Sequence, residues 1–550
     1  MRRLVLFSAN LCMAMTATGQ RYLQEVFTDA QIGITTDLVF GINTNWLNSP
    51  WTCPGFATEM ALLQQLTDEA VAYPEAWFDE ADPSTCVKLS ALHMDVYAPL
   101  PADDPCTDRP VVLVLHDGSW LPVPNTWQPY GMRTDSSVVE WCRRLARRGY
   151  VAAAIDTRPG WNPLAWTLDD LRWSYYNALY RTMQDTRQAM RWLTNSAGED
   201  DPHGIDPDRM AVMGVGFGGR TAIATGYWDR TEELHSGQLL MDPNDANSSY
   251  IDTLLAGGPQ GEGGLLNLYR PTGQTTSVRV VVGLGANLPD TLWIEPGDAP
   301  LVAFHGVADP FVPFDHAPII APGLAAYMMH SHGSEALVRR SNAVGNNAAF
   351  PSMPGDPFTD RARALYSTTV WDEVISPPEQ AEGLFPVVRP LVPGFNHEAH
   401  PWHWWDPQHP NAQVEIVPGV TTHDAALLYN PDMGPAKGRH YADTIFGYLT
   451  PRLFLAMDLG EACGFVGVDE PTDVDLLRVF PIPASDAWHI DAKDHRILRV
   501  ELLDATGRML RDISINAGRA TFQRGTLPAG TCLLRVHLAD AVVVCKLVLE

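Results

Sequence analysis

Short, fully apolar runs alternate with helical stretches across roughly residues 90–455, and this alternation limits what the chain can fold into more than any other feature. The runs Val111 to His116, Val151 to Ile155, Met210 to Met213, Val278 to Leu284, Leu301 to His305 and Phe385 to Val388 are largely apolar at successive positions, not at every second one. Neighbouring side chains of a strand point to opposite faces, so such a strand has to be covered on both. Between them, Ser136 to Arg148 carries Val139, Cys142 and Leu145 at helical spacing. Leu168 to Thr194 likewise carries Leu171, Leu179, Met183, Met190 and Leu193. Strand and helix in alternation make a doubly wound α/β fold with a mostly parallel sheet. Ligands in such a sheet are taken beyond the carboxyl ends of the strands.

The chain has 550 residues, 45% hydrophobic and 19% charged, an ordinary globular balance that excludes collagen, coiled coil and wholesale disorder. Its formal charge of −27 repels phosphate backbones, so no nucleic acid or anionic membrane partner is expected. No internal run reaches 18 apolar residues, so no stable membrane span is expected either.

Four strand ends carry distinctive residues: His116-Asp117-Gly118-Ser119, Gly214-Val215-Gly216-Phe217-Gly218-Gly219, His305-Gly306-Val307-Ala308-Asp309-Pro310-Phe311-Val312-Pro313, and Gly394-Phe395-Asn396-His397. Asp95 to Pro99 and Gly204 to Arg209 precede the first two. In this order they resemble the α/β-hydrolase family, in its carboxylesterase and lipase-like branch, over about residues 90 to 455. The resemblance implies Asp309 as the acid and His397 as the base. It also implies an oxyanion hole from Gly118, Ser119 and Phe217, and an ester of a small molecule or a glycan as ligand. No metal and no cofactor are implied.

One departure is severe. The family's elbow is G-x-S-x-G, and here the nucleophile position holds Gly216. A glycine has no oxygen to attack an acyl carbon, so the acyl-serine route is closed there. The sequence therefore reads as a hydrolase-like protein of esterase descent, catalytically degenerate and ligand-binding. The alternatives are an active hydrolase using Ser119 or a His397-activated water, and a structural or adhesive surface protein. Asp117 is a second departure, because a carboxylate beside an oxyanion opposes its charge. The glycines are misspaced for a dinucleotide turn. His400, His403 and Asp406 have ligand-like spacing, but Pro401 and the run of tryptophans spoil the helix that would carry them. His400, His403 and His409 therefore read as packing and rim residues, and His440 as a packing or capping residue before a final helix. Trp228 to Pro300 and Asn342 to Tyr366 read as insertions that cap the site.

The ends read differently. Arg2 and Arg3, the apolar stretch Leu4 to Met15, and small Ala17 and Gly19 read as a signal peptide over residues 1–19. Residues 20–89 read as an extension packed on the hydrolase domain, which spans 90–460, with a linker over 461–475. Strand-like runs with punctuating glycines then read as a small β-sandwich over 476–550. Val479 to Asp486, Asp504 to Arg508, Leu527 to Gly530 and Lys546 resemble the type A sorting domain of the type IX secretion system, with Ile482 where that family usually has Asn. This implies the type IX machinery as partner, export from a Bacteroidetes-type bacterium, and a secreted or outer-surface location after periplasmic transit. Beyond Cys12 seven cysteines remain, an odd number with no CxxC pair. Export permits disulfides. Cys532 and Cys545 flank a hairpin and could bridge its strands, while the pairing of the others stays open.

Overall fold

The structure, a computed structural model, describes residues 21–49, 51–122, 125–235, 237–245, 247–271, 276–321, 326–353, 355–364, 368–370, 373–375, 382–460, 462–464, 477–480, 486–493, 495–504, 509–525, 527, 530–538 and 542–549. The proposed signal, most of the linker and much of the sorting-domain motifs lie outside these residues. The chain divides into two units, residues 1–465 and 466–550.

The first unit is built on an eight-stranded sheet: β1 (Ile32–Thr44), β2 (Leu89–Pro99), β3 (Arg109–Leu115), β4 (Val151–Ile155), β5 (Ile205–Val215), β6 (Val280–Leu284), β7 (Leu301–Gly306) and β8 (Leu384–Val387). Their spatial order is β1-β2-β4-β3-β5-β6-β7-β8. β2 is antiparallel to both neighbours, and every other pairing is parallel. This large, mostly parallel sheet is consistent with an α/β-hydrolase fold. The stretch read as an N-terminal extension supplies the edge strand β1, a run whose irregular pairing with β2 blurs its period.

The strands are apolar at successive positions because helices cover both faces. Val112 and Val114 of β3 join one core with Trp141, Cys142 and Leu145 of α1 (Ser136–Arg147) and Ile445, Leu449 and Leu453 of α5 (Pro435–Ala456). Val111, Leu113 and Leu115 face the other way, onto Met190 and Leu193 of α2 (Leu168–Gly198) and Ala222 of α3 (Phe217–Tyr227). Each such fully buried Val or Leu contributes about 1.5–3 kcal/mol. α2 starts where Thr167 Oγ1 accepts from the Asp170 N–H, with Asp169 and Asp170 in the positive first turn. α5 starts on Pro435, which has no N–H to leave unpaired. α4 (Ser334–Ala343) packs beside β7.

Two disulfides close in this unit, Cys53–Cys86 and Cys106–Cys463. Arg158, after β4, pairs with Asp185 of α2 at 2.8 Å, and both are buried. Asp185 also accepts from the Tyr269 hydroxyl at 2.8 Å.

The second unit has a three-stranded antiparallel sheet (Arg478–Phe480, Ala487–Asp491, Arg519–Gln523). A four-stranded one holds, in order, Met509–Ala517, Ile497–Asp504, Gly530–Leu538 and Val542–Leu549. Trp488, Ile490 and Phe522 of the first share a core with Val500, Leu502, Leu534 and Val536 of the second. In the last hairpin Cys532 stands opposite Leu547, and Leu534 opposite Cys545.

Candidate functional site

β5 ends at Val215, and the chain turns sharply into α3 at Gly216, with φ 54° and ψ −116°. Side chains seldom take this conformation, and only strong surroundings hold it. The strained strand-to-helix turn is therefore kept although it presents no side chain. The reason stands directly opposite. A Cβ at position 216 would lie 2.4 Å from Asp117 Oδ2 and 2.5 Å from Asp117 Cγ. Carbon atoms settle at about 3.5–4.0 Å, so the Asp117 carboxylate and a side chain at 216 exclude each other.

Asp117 follows β3 and is buried. Its Oδ1 accepts the N–H of Gly118 at 2.9 Å and the N–H of Phe217 at 3.0 Å. Gly118 and Phe217 supply two of the three positions named for the oxyanion hole, and a resident carboxylate has taken both donors. The third, Ser119, has φ 58° and is half-buried. Its carbonyl accepts from Trp161 Nε1 at 2.6 Å. Trp120 Nε1 donates to Thr221 Oγ1 at 3.1 Å, so two indoles pin this loop.

Asp117 Oδ2 faces two imidazoles. It lies 3.2 Å from His400 Nδ1 and 3.7 Å from His403 Nε2. Burial would push the Asp117 carboxyl up, but the two imidazoles together outweigh it and hold the group well below the usual carboxylate range. The far nitrogen of His400, Nε2, is 3.8 Å from Asp309 Oδ2. Burial pulls the His400 imidazole down, and Asp117 and Asp309 more than offset this, so it is raised. His403 is lowered, chiefly by burial. Its Nδ1 is 2.9 Å from Ser137 Oγ, and its ring stacks on Tyr130 with centroids 4.4 Å apart.

Asp309 stands after β7. Its Oδ1 accepts from the N–H groups of Phe311 at 2.8 Å and Val312 at 3.0 Å. His305 lies beside it, Nε2 to Asp309 Oδ2 at 3.8 Å, with its nitrogens against Ser334 Oγ and the Val312 carbonyl. Burial lowers the His305 imidazole.

The fold thus gathers Gly216, Gly118, Phe217 and Asp309, but the imidazole between the carboxylates is that of His400, not of His397. His397 stands three residues earlier, half-buried on the same loop. Two contacts explain the offset. Buried Glu398 is fixed by Arg389 and Lys437, each at 2.8 Å. The carbonyls of Glu398 and Ala399 lie 3.2 and 3.3 Å from where a Cβ on Gly306 would stand, which sets the loop tightly against the end of β7. Gly285, at φ 62° after β6, leaves room for the ring, since a Cβ there would meet His400 Nε2 at 2.4 Å. The expected rim role of His400 and His403 is corrected likewise: both are buried. Asp406 is exposed and accepts from the Gln408 N–H, so the carboxylate beside this histidine pair is Asp117. His409 accepts from the Asn411 N–H at the head of a short helical turn. His440 is exposed and lies within α5, which begins at Pro435.

No family model and no curated protein matches the chain. Among solved structures it is similar to esterase 2 of the planctomycete Thermogutta terrifontis. The form phosphorylated by paraoxon is 18% identical with a TM-score of 0.26, covering 41% of this chain and 69% of that one. The propionate-bound form gives 18%, 0.26, 41% and 70%. The apo form gives 17%, 0.25, 41% and 70%. Among the described residues no helix is long and apolar enough to cross a membrane.

Proposed function

We propose that this chain is an exported, hydrolase-like protein of esterase descent whose serine chemistry is lost and whose strand-end site serves to bind a ligand. One observation carries the reading. The Asp117 carboxylate accepts from the Gly118 and Phe217 N–H groups and fills the space a side chain at 216 would need. An acyl-transfer transition state needs free donors aimed at its developing oxyanion, and here a fixed negative charge already accepts them. The same contacts count against the alternative of an active hydrolase using Ser119 or activated water. In either version His400 takes the part expected of His397, with Asp309 beside it.

The remaining parts of the reading rest on sequence, with some support from structure. Two disulfides suit an oxidising compartment. The two sheets of the second unit and their common core support a β-sandwich, and its motifs support a type IX sorting domain. Hydrolysis of a short-chain nitrophenyl ester tests the central claim. The parent chain and Gly216→Ser are expected to stay at background, while Gly216→Ser with Asp117→Gly gains turnover. Turnover by the parent chain that disappears in His400→Ala would overturn it.

A further inference from the structure

Buried imidazoles usually satisfy both nitrogens, as His305 does. His403 does not: its Nε2 is buried without a hydrogen-bond partner, and so is His400 Nε2. The first points at Asp117 Oδ2 from 3.7 Å, too far for a hydrogen bond. An unfilled polar cluster in a core is costly, so its geometry calls for an occupant.

We propose that Asp117, His400 and His403 form a site for a single divalent transition-metal ion of the zinc type. One ligand atom from each lies within 4.8 Å of the others. Two ligands each about 2.0–2.2 Å from a tetrahedral ion stand about 3.4 Å apart. Asp117 Oδ2 is 3.2 Å from His400 Nδ1 and 3.7 Å from His403 Nε2, on either side of that edge length. The ligand set, two imidazoles and one carboxylate, is of the kind zinc takes when a fourth position stays open to water or a ligand.

The surroundings fit the same assignment. Metal-bound histidines hold their far nitrogen on an oxygen that fixes the ring and its tautomer. His403 meets Ser137 Oγ at 2.9 Å in this way, while the far nitrogen of His400 faces Asp309 Oδ2 at 3.8 Å, beyond hydrogen-bond reach. Asp117 is already committed through Oδ1 to two N–H groups, which leaves Oδ2 as a one-oxygen ligand. The charges favour a cation too: the buried side chains of Asp117 and Asp309 face one buried guanidinium nearby, Arg220, which leaves an excess of one negative charge. A dication bound by neutral imidazoles meets the remaining negative charge. Gly216 then has a positive reason, because any side chain there would displace a metal ligand.

This inference goes beyond the loss of serine chemistry and shares with it the positions of Asp117, Gly216, His400 and Asp309. The test uses the full oxidised chain, stripped with a chelator and titrated with Zn(II) and separately with Co(II), without thiol reductant. One ion per chain is expected, with the visible Co(II) absorption of a low-coordinate nitrogen and oxygen site. Asp117→Asn and His403→Ala should abolish both. Ser137→Ala, which removes only the outer partner, should weaken binding by about 10-fold or more, and exposed His440→Ala should change nothing. Circular dichroism of each variant separates lost binding from lost fold, and Ser137→Ala decides the matter should the ligand variants unfold. No stoichiometric binding, or binding equally tight in His403→Ala or Ser137→Ala, overturns the site. Absent binding together with a gain of ester turnover in the double variant removes the ion and leaves the serine reading standing. Binding without that gain does the reverse.

Discussion

Introducing serine at position 216 looks like the natural way to restore an esterase, and the structure says that alone it damages the protein. A Cβ there would stand 2.4 Å from a carboxylate oxygen, so Asp117 must leave. Its departure breaks two charge-assisted hydrogen bonds, each worth about 1.5–3 kcal/mol. The φ of 54° adds about 1–2 kcal/mol for a residue with a side chain. Gly216→Ser should therefore destabilise by about 4 kcal/mol or more. In an Asp117→Gly background the same change should cost only the backbone part, about 1–2 kcal/mol. The coupling, about 3 kcal/mol, is read from a double-mutant cycle by urea unfolding. Tryptophan fluorescence reports the first unit, since Trp488 is the only tryptophan of the second. Distant sites add to within about 0.5 kcal/mol, so additivity of the two changes would refute the overlap of Asp117 with position 216.

Other consequences can be measured directly. Burial raises the Asp135 carboxyl to about 6 from 3.8, while its Oδ2 accepts from Gly131 and Met132. A carboxyl raised in the folded state costs stability as pH climbs from about 4 to 6. Asp135→Asn should therefore gain over the parent across that window, by about 2–3 kcal/mol at pH 7, in unfolding curves at several pH values. The Cys106–Cys463 bridge spans 357 positions. Cys463→Ser should lower stability by roughly 3–5 kcal/mol, seen as a lower melting temperature of the first unit. Arg158→Met leaves Asp185 as a buried charge without its guanidinium, and should cost about 3–5 kcal/mol in the same urea assay.

How far the sequence reaches is plain at particular residues. The apolar runs placed β3, β4 and β7 well because both-face burial writes itself into every position of a strand. β1 escaped notice, since an edge strand with irregular pairing has no clean period. At the site, the loss at Gly216 and the misfit of Asp117 were legible as departures from a motif. That one explains the other was not, because their contact spans 99 positions and depends on a side-chain direction. The base went to His397 for its spacing from Gly394. Chain order can choose a loop but not a residue within it, and the choice of His400 is made by Glu398, Arg389 and Lys437 in three dimensions. For His403 the signals were a crowd of histidines beside tryptophans and a ligand-like spacing from His400, which pointed to Asp406 as the carboxylate and not to Asp117.

The bridge between Cys106 and Cys463 has a consequence for the life of the molecule. It anchors the tail of the first unit to the neighbourhood of its own central sheet, just ahead of the boundary at residue 465. A scission farther along would leave no loose end from which the remainder could unravel.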